Sequence, residues 1–97
     1  MKLGIVLATR VDLPAAHAIA LAARRARHEV MMFVMDAGCH ALAESPALAV
    51  ALVDADCELT VCSNSAVGLA LPDTITRGSQ DDHAALLGTS DRVIALT

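Results

Sequence analysis

The chain has 97 residues, 56% of them hydrophobic, 19% charged and one aromatic, Phe33, with a net charge of −4 and a pI near 5.3. This length fits one domain, residues 1–97, and so apolar a composition excludes the disordered class. The acidic balance excludes the basic footprint of a nucleic-acid binder, and the apolar runs fall far short of the ~20 residues of a membrane span.

The opening run Leu3–Ala8 is continuously apolar, as in a strand buried on both faces of a parallel sheet. Preceded by one lysine and followed by Arg10 with no A-x-A site, it is too short for a secretory leader, so a cytoplasmic protein is expected. Asp12 as N-cap and Pro14 in the first turn start a helix running to about Arg27. Its alanines suit close packing on a sheet, and its arginines complement the helix dipole in the last turn. Val30–Met35 reads as the second strand, ended by the turn Asp36-Ala37-Gly38. Cys39–Ser45 has no clear periodicity. Pro46 opens a helix through about Asp54, and Glu58–Val61 is the third strand, ending at Cys62. Ser63–Ser65 is read as the cap of a short helix, Ala66–Leu69, and Thr74–Thr76 as a short fourth strand. Ser79-Gln80-Asp81-Asp82 is a capping box, its helix is expected to end at Gly88, and Arg92–Leu96 is the last strand.

Strands alternating with helices across short connections specify an α/β fold. The expectation is a single-domain three-layer α/β/α sandwich with a mainly parallel five-stranded sheet in flavodoxin-like order, 2-1-3-4-5. A small, Ala-rich, weakly charged domain is also expected to bury further surface against copies of itself or a partner.

Three cysteines are too few and too odd for a disulfide framework, and cytoplasmic thiols stay reduced unless they work. Ligands of such sheets gather at the carboxyl ends of the strands. Cys57 precedes the third strand and lies at the opposite rim. Five extended residues, roughly 16 Å, separate it from Cys62, whereas a disulfide needs Cα atoms within about 7 Å. Cys57 is therefore read as a buried filler.

Cys62 ends its strand at the functional rim. Backbone N–H groups of Ser63, Asn64 and Ser65, with a helix dipole behind them, would favour its thiolate, which is the nucleophile, or an anionic persulfide. A cysteine that merely closes the strand end is the plain alternative. In a 2-1-3 order the loop bearing Gly38, Cys39 and His40 lies about 10 Å from the third strand. Arg10, on the intervening strand, is then the better neighbour for lowering the Cys62 pKa, and His40 is a candidate base. C-S-N-S is formally C-x-x-S but stands too late in the chain for a thioredoxin-like protein. A C-x5-R phosphatase loop would need arginine where Gly68 stands. No zinc spacing, P-loop or dinucleotide fingerprint is present, so no metal or organic cofactor is expected.

Four segments together resemble the DsrE/DsrF-like family, which includes TusD-type sulfur-relay subunits. They are KLGIVLATRVDLPAAHAIALAARRARHEV, MMFVMDAGCHAL, DCELTVCSNSAVGL and GSQDDHAALLGTSDRVIAL, covering nearly the whole chain. The resemblance implies a cytoplasmic sulfurtransferase-like carrier with no cofactor, in which the cysteine matching Cys62 accepts sulfane sulfur as a persulfide and passes it on. It implies sulfur-donor and sulfur-acceptor proteins as partners, TusA-like or DsrC/TusE-like, and a homo-oligomer (trimer or hexamer) or an assembly with paralogous subunits. Gly38 and Cys39 would form the wall beside the thiol. This chain is shorter than many relatives around the second helix, and Cys39 stands where an aliphatic residue often follows the glycine. The rival readings are a noncatalytic assembly subunit, a small-ligand-binding α/β module and a thiol redox protein.

Overall fold

The computed structural model describes residues 1–97. Its elements in chain order are β1 (Lys2–Leu7), α1 (Leu13–Arg25), β2 (Glu29–Val34), α2 (Ala37–Glu44), α3 (Pro46–Asp54), β3 (Glu58–Cys62), β4 (Thr76–Gly78), α4 (Gln80–Thr89) and β5 (Arg92–Leu96). All five strands are parallel. The α/β sandwich expected from the alternating pattern is the observed architecture.

The strand order is 4-3-2-1-5, not the expected 2-1-3-4-5. Both orders obey right-handed crossover. Here the connections β1→β2→β3→β4 all step the same way, and only β4→α4→β5 returns, placing β5 against β1. Helices α1 and α3 pack on the face presented by Leu3, Ile5, Leu7, Val30, Met32, Val34, Leu59 and Val61, with Cys39, Ala41 and Leu42 of α2 in the same core. Helix α4 packs alone on the other face, against β1 and β2, where Val6, Met31, Phe33, Cys62 and Leu86 form a second, smaller core. The lone aromatic, Phe33, is fully buried there. With side chains alternating along each strand, odd and even residues of one strand serve different cores, which is why these strands are apolar throughout.

The joints that feed β2 and β3 have one design. At each, two backbone bonds close a Schellman turn: Arg27 N–H to Arg24 O and His28 N–H to Ala23 O after α1, then Asp56 N–H to Val53 O and Cys57 N–H to Leu52 O after α3. Arg27 and Asp56 take the left-handed position at φ 66° and 62°. Arg24 ties the two joints together, its Nε donating to Ala55 O (2.9 Å) and its guanidinium to His28 O (3.0 Å). The ends of the chain are clasped as well. Lys2 N–H donates to Asp91 Oδ2 (2.7 Å), Asp91 N–H donates to Lys2 O (2.8 Å), and Leu3 lies opposite Arg92 in register.

Several local expectations are corrected. Cys39–Ser45, unread from sequence, is largely helix α2, and Gly38 belongs to its first turn. A Cβ on Gly38 would stand 2.6 Å from Leu7 O, so glycine lets α2 start directly against the end of β1. Ala66–Leu69 is not a helix but the end of a chain of turns, in which Gly68 adopts φ 77°. The fourth strand is Thr76–Gly78 and starts two residues later than read. Helix α4 runs through Gly88 to Thr89. No helix is long and apolar enough to cross a membrane.

Candidate functional site

Three connections after β1, β2 and β3 turn toward the α1 side, whereas Ser79 leads α4 over the other face. Adjacent strands whose continuations depart to opposite faces leave a crevice at their carboxyl ends. Here those strands are β3 and β4, and Cys62 is the last residue of β3, opposite Gly78.

The Cys62 side chain faces the α4 side and is 6% exposed, thinly covered at the rim. Gln80 Nε2 lies 3.8 Å from the sulfur, and the backbone N–H groups of Asn64 and Ser65 and the Ser65 hydroxyl belong to the turn that follows it. They hold its thiol below the ordinary value, against the opposing effect of burial. No helix starts directly after Cys62, because the turn there closes with a single Ala66 N–H to Cys62 O bond (2.9 Å) and goes no further as helix. Ser63 also departs from expectation. Its N–H and its hydroxyl both donate to Gly78 O (2.9 and 2.8 Å), so it staples β3 to β4 rather than serving the sulfur.

Ser65 has a second task. Its Oγ accepts from Asp36 N–H at 3.0 Å. Asp36 sits at φ 51°, ψ −133°, a sparsely populated conformation that costs about 1–3 kcal/mol and persists only where neighbours enforce it. Asp36, Ala37, His40, Asn64 and Ser65 line an open cleft of about 480 Å³ at this rim. His40 is thus exposed in the cleft wall. A second recess of about 220 Å³ lies at the amino ends of the strands, lined by Lys2, Arg24, Glu29, Val30, Asp56 and Glu58, with no cysteine in it.

The changed strand order relocates two expected neighbours. Because β2, not β1, lies beside β3, Arg10 is two strands removed from Cys62. Its guanidinium instead pairs with Glu44 at the end of α2 (2.6 Å). Cys39 comes nearer in sequence of strands, yet it faces the α1 side while Cys62 faces α4. Its Sγ is fully buried and donates to Val34 O at 3.4 Å. Burial, and next the charge of Cys62, push its thiol up to about 11. All three cysteines are free. Cys57 is buried at the amino rim with its thiol likewise raised by burial. Gly38 serves the packing of α2 on β1 and not the sulfur.

The residue that sequence reading missed is Gln80. It is the first residue of α4, placed by the Ser79–Asp82 capping box immediately beyond Gly78, and its Nε2 lies 3.8 Å from both Cys62 Sγ and Met35 Sδ. The signal was present only in part. The capping box fixes where α4 begins, but that this start lies beside the end of β3 follows only from the pairing of β4 with β3.

No protein-family model matches the chain, and no curated protein matches it. Among solved structures, it is similar to the ychN protein from E. coli, with a TM-score of 0.80 and 16% identity over 99% of both chains. It is also similar to BT1422, a conserved protein of unknown function from Bacteroides thetaiotaomicron, with a TM-score of 0.77 and 12% identity over 98% of this chain and 94% of that one. At these identities the likeness to both is one of fold.

Proposed function

We propose that this protein is a DsrE-like sulfur carrier that holds sulfane sulfur as a persulfide on Cys62. The observation that carries this reading is the Gln80 amide 3.8 Å from that sulfur, at a strand end whose following turn, through Ser65 and Asn64, also holds the thiol low. Donors near a thiol at the rim of a parallel sheet favour its anion, the nucleophilic form. The fold shared with the ychN protein and BT1422 supports the same reading.

In the first step the Cys62 thiolate attacks the outer sulfur of a donor persulfide, R–S–SH. A new S–S bond forms on Cys62, the donor S–S bond breaks, and R–S⁻ leaves. In the second step an acceptor thiolate attacks the outer sulfur of Cys62–S–SH and regenerates the Cys62 thiolate. Sulfane sulfur moves at constant oxidation state, so neither oxidant nor cofactor enters. The same donors stabilise the anionic persulfide between the steps. Donor and acceptor are protein thiols, TusA-like or DsrC/TusE-like, docking at the carboxyl rim of an oligomer, a trimer or hexamer.

The test is intact-protein mass spectrometry after brief exposure to polysulfide, on the wild type and Cys62→Ser. Added sulfur that disappears in the variant is the expected result. No addition, or addition shared equally with Cys39 and Cys57, overturns the reading. The cleft beside Asp36, His40 and Asn64 favours a second reading, a small-ligand-binding module. It requires a ligand whose affinity is the same in Cys62→Ser.

A further inference from the structure

A chain of contacts runs from the small core to the reactive sulfur. The fully buried Phe33 ring carries the His83 ring stacked upon it, with centroids 5.3 Å apart and planes within 7°. His83 Nδ1 lies 3.0 Å from Gln80 Oε1, and the other end of that amide, Nε2, lies 3.8 Å from Cys62 Sγ. An amide has one accepting end and one donating end. With Oε1 toward His83, the ring nitrogen must be the donor, so Nδ1 carries a proton. We propose that His83 is a positioning residue for Cys62: clamped on Phe33, it holds Gln80 Oε1 through Nδ1–H and thereby turns the Gln80 N–H toward the sulfur.

The arrangement has two states, and the His83 tautomer selects between them. With the proton on Nδ1, Gln80 presents a donor to Cys62, which suits S⁻. With Nδ1 bare, the amide turns over, Nε2 donates to the ring, and Oε1 faces Cys62, which suits S–H. An imidazolium and one neutral tautomer both carry the Nδ1 proton, so the donor-facing state does not require a charged ring. Gln80 itself is exposed and free to rotate. The stack on Phe33 is what makes the His83 end rigid. This inference deepens the sulfur-carrier reading and rests on Cys62 as its reactive thiol, but not on the identity of any sulfur donor.

The experiment is the rate of Cys62 alkylation by iodoacetamide from pH 5 to 10, resolved by peptide mass spectrometry, in the folded wild type, Gln80→Ala, His83→Phe and His83→Asn. Phenylalanine keeps the stack and loses the donor. Asparagine loses the stack, but its Nδ2 stands near the place of Nδ1 and donates. The other titratable groups on the elements around the sulfur are Glu29, Asp36, Cys39, His40 and Glu44 from the β2–α2 segment, Glu58 on β3, Arg77 on β4, and Asp81 and Asp82 on α4. They are common to all four proteins, so differences report the His83–Gln80 arm. Gln80→Ala and His83→Phe are expected to move the profile to higher pH and to slow alkylation at pH 7 by about 3- to 10-fold, the range of one lost hydrogen bond. His83→Asn is expected to restore most of that rate. An unchanged profile in His83→Phe, or equal shifts in His83→Phe and His83→Asn, overturns the proposal while leaving the sulfur carrier intact. A wild-type Cys62 with an ordinary thiol profile overturns both. Gln80 is exposed at the start of its helix, so where a His83 variant disturbs the small core, an unchanged profile in Gln80→Ala overturns the proposal.

Discussion

Replacing Gly38 by alanine tests whether α2 is pinned to the end of β1. The added Cβ would stand 2.6 Å from Leu7 O and 3.1 Å from both Leu7 C and Val34 Cγ1, whereas ordinary contact begins at 3.4 Å. The closest obstacle is backbone, and Leu7 O is already held by Met35 N–H at 2.9 Å. It cannot rotate aside as a side chain would. Either α2 lifts by most of an ångström or the β1–β2 ladder opens at its last bond. Overpacking of this kind costs about 1–3 kcal/mol, and the rigid obstacle puts Gly38→Ala at about 2–3 kcal/mol. For a domain of this size that is a fall of about 10–20 °C in Tm. Gly88→Ala is the internal control. That glycine lies inside α4 with nothing within 4 Å of a Cβ, so alanine should stabilise by about 0.5–1 kcal/mol. Thermal unfolding followed by circular dichroism reads both. A Gly38→Ala midpoint within 3 °C of the wild type, or the same change in both variants, would refute the packing argument.

Alkaline pH offers a second test. The chain has no tyrosine, and its one lysine is Lys2, so the cysteines dominate its titration above pH 9. In the unfolded chain Cys39 ionises near 9.0, and in the fold near 11. Its contribution is fully present below pH 9 and is lost as pH rises through 11, about 2–3 kcal/mol in all. Urea unfolding at pH 8.5 and 10.5 should show about two thirds of that loss in the wild type and much less of it in Cys39→Ala. Equal losses would show that the buried thiol is not its source. Arg24→Ala strands the carbonyls of Ala55 and His28 at the two helix-to-strand joints and should cost about 1–3 kcal/mol by the same urea assay. Arg24→Lys should recover part of it, and a neutral Arg24→Ala would show that the joints hold without the bridge.

The elements of the fold were largely legible because each strand is a continuous apolar run and each helix has its own punctuation. Pro46 and the Ser79–Asp82 box mark their helices at the observed positions, and Arg92–Leu96 is found as read. Strand order was not legible. It depends on which neighbour each strand meets in space, and the crossover rule permits several answers. That one error misplaced Arg10, whose position was argued from β1 lying beside β3. Helix α2 escaped because Asp36-Ala37-Gly38 looks like a turn. The chain does reverse there, but at Asp36, and Gly38 is small for the sake of Leu7 O. Cys62 and the turn after it were placed on the rim by sequence alone, whereas Gln80 reaches the sulfur, and Phe33 meets His83, only through the tertiary packing of α4.

The clasp between the two ends of the chain bears on when the thiol acquires its surroundings. The segment from β1 to β3 joins elements that are neighbours in both sequence and space. Strand β5 must find β1 across a separation of 89 residues, as between Lys2 and Asp91, and contacts between such distant residues form slowly. Helix α4 is held over the sheet between β4 and that last strand. A nascent chain emerging from the ribosome therefore displays Cys62 before it has Gln80 or His83. The complete set of donors belongs to the finished molecule, and an unfinished or C-terminally clipped one carries a more ordinary cysteine.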